Sequence, residues 1–142
     1  MDIAQLKGTD NTQFANDAEI DIRHPVTDET FKATIKSVKN PELGGDITVL
    51  MGDYSRESAK LEKGNLTTEQ AQAIKTRIVN LGNKIAHHVT VKFDGLTSNG
   101  KPVKCTDDMK KDMLDNYDWI SSQIVEKASS ENVFYNTQSK TS

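Results

Sequence analysis

The side chains that could do chemistry are few and far apart in this sequence. Soft or imidazole metal ligands are confined to His24, His87, His88 and Cys105, and a zinc-type site needs three or four of them at workable spacing. His87 and His88 are neighbours, and neighbours on a helix point about 100° apart, so the pair does not converge on one ion. His88 flanks an apolar stripe and reads as a packed histidine. Cys105, in Val103-Lys104-Cys105-Thr106, has no base and orienting group beside it and reads as a half-buried structural thiol. There is no Gly-x-Ser-x-Gly elbow, phosphate loop or dinucleotide fingerprint, and Gly44-Gly45 by itself is too short a motif to argue for phosphate binding. Carboxylates gather at Asp107, Asp108, Asp112, Asp115 and Asp118. Three of them, Asp108, Asp112 and Asp115, share a helical face, but the spaced oxygens and central glycine of a calcium loop are missing. They read as a solvated acidic face. The expectation is a protein that is not an enzyme and uses no metal or cofactor.

What remains is binding chemistry. Trp119 is the one tryptophan of 142 residues. It stands at the edge of an apolar stripe, where it either seals the core or anchors a protein partner. Gln123, four residues on, can bond backbone at either kind of contact. Ile120 and Ile124 complete the candidate surface on that helix, and Arg77 and Lys84 add a basic flank on another. The net charge is −3, and the three arginines, Arg23, Arg56 and Arg77, make no basic stripe with aromatic platforms, so nucleic acid is not the expected ligand. The charge is uneven: −4 over residues 1–50, +4 over 51–104 and −3 over 105–142.

These residues must be placed by the elements around them. Residues 1–17 are polar, with Ile3, Leu6 and Phe14 as apolar anchors, and read as a loosely ordered arm that could dock on the domain or on a partner. Ile20 and Ile22, then Phe31, Ala33 and Ile35, alternate on either side of the Pro25–Glu29 turn, which predicts an antiparallel hairpin. Ile47, Val49 and Met51 alternate too and predict a third strand that ends at Gly52-Asp53, followed by a short helix over 56–61 capped by Asp53 or Ser55. Thr67 and Gln70 form a capping box. The helix after it carries Ala71, Ile74, Ile78, Leu81, Ile85 and Val89 at three- and four-residue steps and should run to about residue 90. Val89, Val91 and Phe93 alternate, so its end fits an extended chain as well. Residues 94–102 are rich in turns. Thr106 caps a helix with Met109, Met113 and Leu114 inward. A last helix, near Tyr117 to Ser130, has the stripe Tyr117, Ile120, Ile124 and Ala128. The expected fold is α+β: an N-terminal antiparallel three-stranded β-meander, then a helical C-terminal part of three to four helices. It forms one domain over 18–136, with a frayed tail at 137–142.

The order of segments resembles the tail assembly chaperones of long-tailed bacteriophages. The resemblance runs over about residues 19–135. It rests on Ile20-Asp21-Ile22-Arg23-His24-Pro25, on Ile47 to Ser55 read as an apolar strand passing through Gly-Asp into a helix, and on Phe93-Asp94-Gly95-Leu96. Gly100-Lys101-Pro102-Val103, Trp119 to Ile124 and Asn132-Val133-Phe134 continue it. The resemblance implies a chaperone that binds the tape-measure protein, recruits tail-tube protein and acts in the cytoplasm of the infected bacterial host. An oligomer is compatible with it. The other readings are a structural tail or connector component of the virion, a regulator of a host protein or nucleic acid, and an enzyme. The N-terminus lacks a basic and apolar leader pattern, no apolar run is long enough for a membrane span, and one cysteine allows no internal disulfide. Those features favour a soluble, cytosolic protein with no membrane partner.

Overall fold

The computed structural model describes residues 1–135; the tail expected at 137–142 lies outside them. The predicted hairpin is present as β1 (Ala18–Arg23) and β2 (Thr30–Ile35), paired antiparallel with Ile20 opposite Ala33 and Ile22 opposite Phe31. Their alternation sends Ile20, Ile22, Ala33 and Ile35 into the core. The opposite face is polar, with Asp21 ion-paired to Lys32 directly across the strands. That is the pattern of an antiparallel sheet with one wet face.

The third strand is not where the sequence places it. Ile47, Val49 and Met51 lie inside a 20-residue helix, α1 (Gly44–Lys63), so no separate cap at Asp53 or Ser55 starts a helix. The physical reason is a second periodicity in the same residues. Ile47, Leu50, Met51 and Tyr54 recur at three- and four-residue steps and are the side chains α1 turns inward, while Val49 is 63% exposed. Nothing breaks that pattern before Gly64, which ends the helix with a positive φ of 73°.

After α1 comes α2 (Thr68–Val89), opened by the predicted capping box. The Gln70 N–H donates to Thr67 Oγ1 at 3.1 Å, and the Thr67 N–H donates to Gln70 Oε1 at 3.0 Å. The chain then turns directly into β3 (Thr90–Asp94), which pairs antiparallel with β2, Ala33 facing Phe93. The sheet order is thus β1-β2-β3, with the α1–α2 pair inserted before the last strand. A two-residue ribbon, β4 (Thr97–Ser98) and β5 (Lys101–Pro102), closes over Asn99-Gly100, both at positive φ as a tight hairpin turn requires. Three helices follow: α3 (Asp107–Asn116), capped by Thr106 as expected, α4 (Asp118–Ala128) and α5 (Glu131–Phe134).

One core joins the sheet to the helices. Ile85, Ala86 and Val89 of α2 and Ile120, Ile124, Val125 and Ala128 of α4 pack with the inner face of the sheet and with Phe93. The chain leaving β2 ties both helix ends down, because the Lys36 N–H donates to Val89 O at 2.8 Å and the Val38 N–H to Ala128 O at 3.0 Å. The N-terminal segment forms two 3₁₀ turns, Ile3–Leu6 and Asn11–Ala15, capped by Asp2 and Asp10. Phe14 is buried in the common core, its ring 5.6 Å from that of Tyr135, so the segment is docked on the domain at this residue. Among the described residues no helix is long and apolar enough to cross a membrane.

Candidate functional site

Trp119 begins the first turn of α4, where Tyr117 joins α3 to α4 without a capping side chain. The junction is held instead from the side. Asn83 Nδ2 of α2 donates to Leu114 O at 2.7 Å, and buried Ser121 Oγ donates to the same carbonyl at 3.2 Å. The indole ring therefore stands in a fixed frame. It packs edge-on against His24 (5.3 Å between ring centroids), Tyr117 (6.1 Å) and Phe31 (6.4 Å). His24 is itself fixed, since its Nδ1 accepts from the N–H groups of Val26 and Thr27, both at 3.1 Å, and so pins the β1–β2 turn. Of the two roles the sequence left open for Trp119, the packing shows the first, since the ring seals the end of the sheet, and part of its surface stays free.

The free part forms one wall of a cleft of about 320 Å³ between α1, α2 and α4. Tyr54 of α1, Ile78, Val79 and Gly82 of α2 and Val125 of α4 line the rest of it. Gly82 is the residue that makes room. A methyl there would stand 3.6 Å from the Tyr54 ring and 3.9 Å from Val125, which are ordinary contacts, so any larger side chain would fill the cleft. The polar residues along it are Asp118, Ser122 and Ser121, whose hydroxyl is already engaged with Leu114 O. The site is an apolar slot wide enough for one or two side chains of another molecule.

The other candidate residues separate. Ile120 and Ile124 are 1% and 0% exposed; they belong to the core and cannot touch a partner in the folded protein. The stripe that singled them out is the inward one. Gln123 is engaged inside the molecule: the Arg23 N–H donates to its Oε1 at 2.8 Å, and its Nε2 donates to Arg23 O at 2.9 Å and to Trp119 O at 3.1 Å. Arg77 and Lys84 face away from Trp119, into the groove between α2 and α1 that also holds Glu57. Arg77 Nε stands 3.3 Å from Glu57 Oε2. Burial pushes the Glu57 carboxyl up, but the Lys60 ammonium and the Arg77 guanidinium together outweigh it and hold the group below its usual range. The six candidates therefore do not make one surface; Trp119 alone stays on the cleft. Tyr54, Val79 and Gly82 join it, and of these only the glycine inside a helical stripe left a trace in the sequence, as a sign of close packing.

Of the titratable residues, the histidines are placed differently from the expectation. His88 is exposed rather than packed, and half-buried His87 is the one that makes a contact, its Nε2 lying 2.7 Å from Asp115 Oδ1. That hydrogen bond holds the Asp115 carboxyl below its usual range. Cys105 is half-buried. Among the described residues no three of His, Cys, Asp or Glu come together as a metal-binding group.

No protein-family model, curated protein or solved structure matches the chain. Of the segments that carry the resemblance to tail assembly chaperones, Ile47 to Ser55 is helical throughout rather than a strand leading into a helix.

Proposed function

We propose that this chain is a non-enzymatic tail assembly chaperone of a long-tailed bacteriophage. It acts in the cytoplasm of the infected bacterial host and binds the tape-measure and tail-tube proteins while the tail is built. The observation that carries the reading is the Trp119–Tyr54 cleft. A rigid, half-buried aromatic wall beside a glycine is the kind of slot that takes the apolar anchors of an amphipathic helix. A tape-measure protein, a long coiled coil, presents such anchors along its length, and covering them before assembly keeps the partner from aggregating. The order of the other quoted segments, from Ile20–Pro25 to Asn132-Val133-Phe134, supports the same reading; Ile47 to Ser55, helical throughout, does not.

The test is co-purification with a tape-measure protein of a long-tailed phage. Trp119→Ala removes packing as well as a wall, so Val79→Glu is the cleaner variant. Val79 lines the cleft and is exposed, and a carboxylate there disfavours an apolar guest without touching the core. Loss of capture with an unchanged circular-dichroism spectrum supports the cleft; undiminished capture removes it. A stoichiometric amount of the protein in purified virions would replace the chaperone reading with that of a structural tail component.

A further inference from the structure

We propose that the Trp119 cleft also takes the N-terminal segment of a second copy of this chain, with Ile3 and Leu6 as the inserted side chains. The proposal rests on that cleft being a binding slot, as read above, and adds an occupant made by the chain itself. The first 3₁₀ turn, Ile3–Leu6, is fully capped yet buries none of its residues. The Ala4 N–H donates to Asp2 Oδ1 at 3.1 Å, and the Asp2 N–H donates to Gln5 Oε1 at 2.9 Å. Residues three apart on a 3₁₀ turn eclipse one another, so Ile3 and Leu6 share one side of it. They are 83% and 50% exposed. The caps thus hold a ridge of two aliphatic side chains in place before anything binds, which lowers the ordering cost of inserting it.

The cleft between α1, α2 and α4 has the complementary form. Its volume of about 320 Å³ and its apolar lining suit two aliphatic side chains. The charges match as well. Lys7 follows the ridge directly and is exposed, and Asp118 lines the cleft. Neither is among the ion pairs formed within the described residues. The geometry favours a ridge from another molecule. Within one copy the segment is anchored at Phe14, whose ring lies against Tyr135 and 5.1 Å from Lys39 Nζ. Phe14 precedes the start of β1, whereas Trp119 packs on His24, just past its end. A six-residue strand, about 20 Å long, separates the two points, and no residue of the segment lines the cleft. Ridge and slot then meet different neighbours, a head-to-tail contact that adds copies one after another. A partner helix entering the same cleft displaces the ridge, so self-association and capture exclude each other at each slot.

The experiment is sedimentation velocity of the full chain from about 10 μM to about 1 mM, with ¹⁵N spectra over the same range. Expected are a sedimentation coefficient that rises with concentration and parallel shifts of the Trp119 indole N–H and the Gly82 amide. Ile3→Asp puts a carboxylate on the ridge, where it would meet Asp118. Val79→Glu puts one at the cleft. Both positions are exposed, so the fold is retained, and each variant alone should associate at least about tenfold more weakly than the parent. Mixed together they should form a one-to-one pair and nothing larger, because Ile3→Asp keeps an intact cleft and Val79→Glu an intact ridge. A parent that stays monomeric throughout, association that survives Ile3→Asp, or variants that do not pair on mixing would overturn the proposal. So would a Trp119 shift caused by Ile3→Asp that is independent of concentration, the sign of a ridge folded onto its own cleft. Capture of a tape-measure protein by Ile3→Asp keeps the chaperone reading even if the chain never self-associates; self-association without any capture removes that reading and keeps this one.

Discussion

The two long helices of this domain, α1 with 20 residues and α2 with 22, are built on different principles. α2 lies at the centre, packed against α1, α3 and α4. It buries Ile74, Gly82, Ile85, Ala86 and Val89 and is closed at its start by the Thr67–Gln70 box. α1 lies at the margin. It fully buries Ile47 alone, begins on two glycines without a cap, and leans on α2 through half-buried Leu50, Met51 and Tyr54. Its surface ion pairs, Asp53–Arg56 and Glu57–Lys60, span one turn each and add little in water. A helix with its own stripe and cap stands on local signals; one with a single buried anchor stands on its neighbour.

That difference can be broken or sharpened by substitution. Ile85→Ala should cost about 3–5 kcal/mol in urea unfolding, because the site is fully enclosed and cannot collapse around the lost atoms. Ile47→Ala should cost about 2 kcal/mol, the low end for such a change, since α1 can shift to close the gap. Its signature in native-state hydrogen exchange should be faster exchange across α1 with α2 left protected. Thr67→Ala should lower stability by about 1 kcal/mol through the lost cap. Gly82→Ala works in the other direction. The added methyl makes only ordinary contacts, so the gain in helix propensity should raise stability by up to about 1 kcal/mol, while the shallower cleft takes a partner less well. A variant with a higher melting temperature and weaker capture would separate stability from binding.

The smallest effect is electrostatic. Glu57 joins α1 to Arg77 of α2, and its carboxyl is held below the ordinary value of 4.5. The folded state therefore takes up the proton less readily than the unfolded one. The contribution is fully present above 4.5 and is lost as the pH falls through the folded value. Melting temperatures measured from neutral pH downward should show a shallower acid decline for Glu57→Gln than for the parent. Equal slopes would mean that the α1–α2 ion pair carries no folding free energy.

The same contrast decides what was legible in the sequence. The β1–β2 hairpin, α2 with its cap, the Thr106 cap and the α4 stripe from Ile120 to Ala128 could be read from local signals. Tyr117, placed on that stripe by its spacing, instead precedes the helix and is 46% exposed. α1 was misread because Ile47, Val49 and Met51 satisfy a strand period while Ile47, Leu50, Met51 and Tyr54 satisfy a helical one, and only burial against α2 chooses between them. β3 was hidden at the end of α2, where the alternation of Val89, Val91 and Phe93 fits both states. At the site, Trp119 was legible as an edge aromatic. The cleft was not, since Tyr54, Val79 and Gly82 come from segments that only the fold brings to it. Ile120 and Ile124 show the converse: a stripe tells which residues share a face but not whether that face is the inner one.

Gln123 has a consequence beyond the placing of α4. Its carboxamide meets both the N–H and the C=O of Arg23, as the peptide group of an added strand would. At the far side of the sheet, Lys110 Nζ donates to the carbonyls of Thr90 and Val91 at 3.3 and 3.4 Å. At each border of the three-stranded sheet a side chain thus takes up backbone groups of the edge strand. An open strand border is a template for uncontrolled association. On the proposed chaperone reading, a protein with such a sheet would offer a partner a slot and deny it an edge.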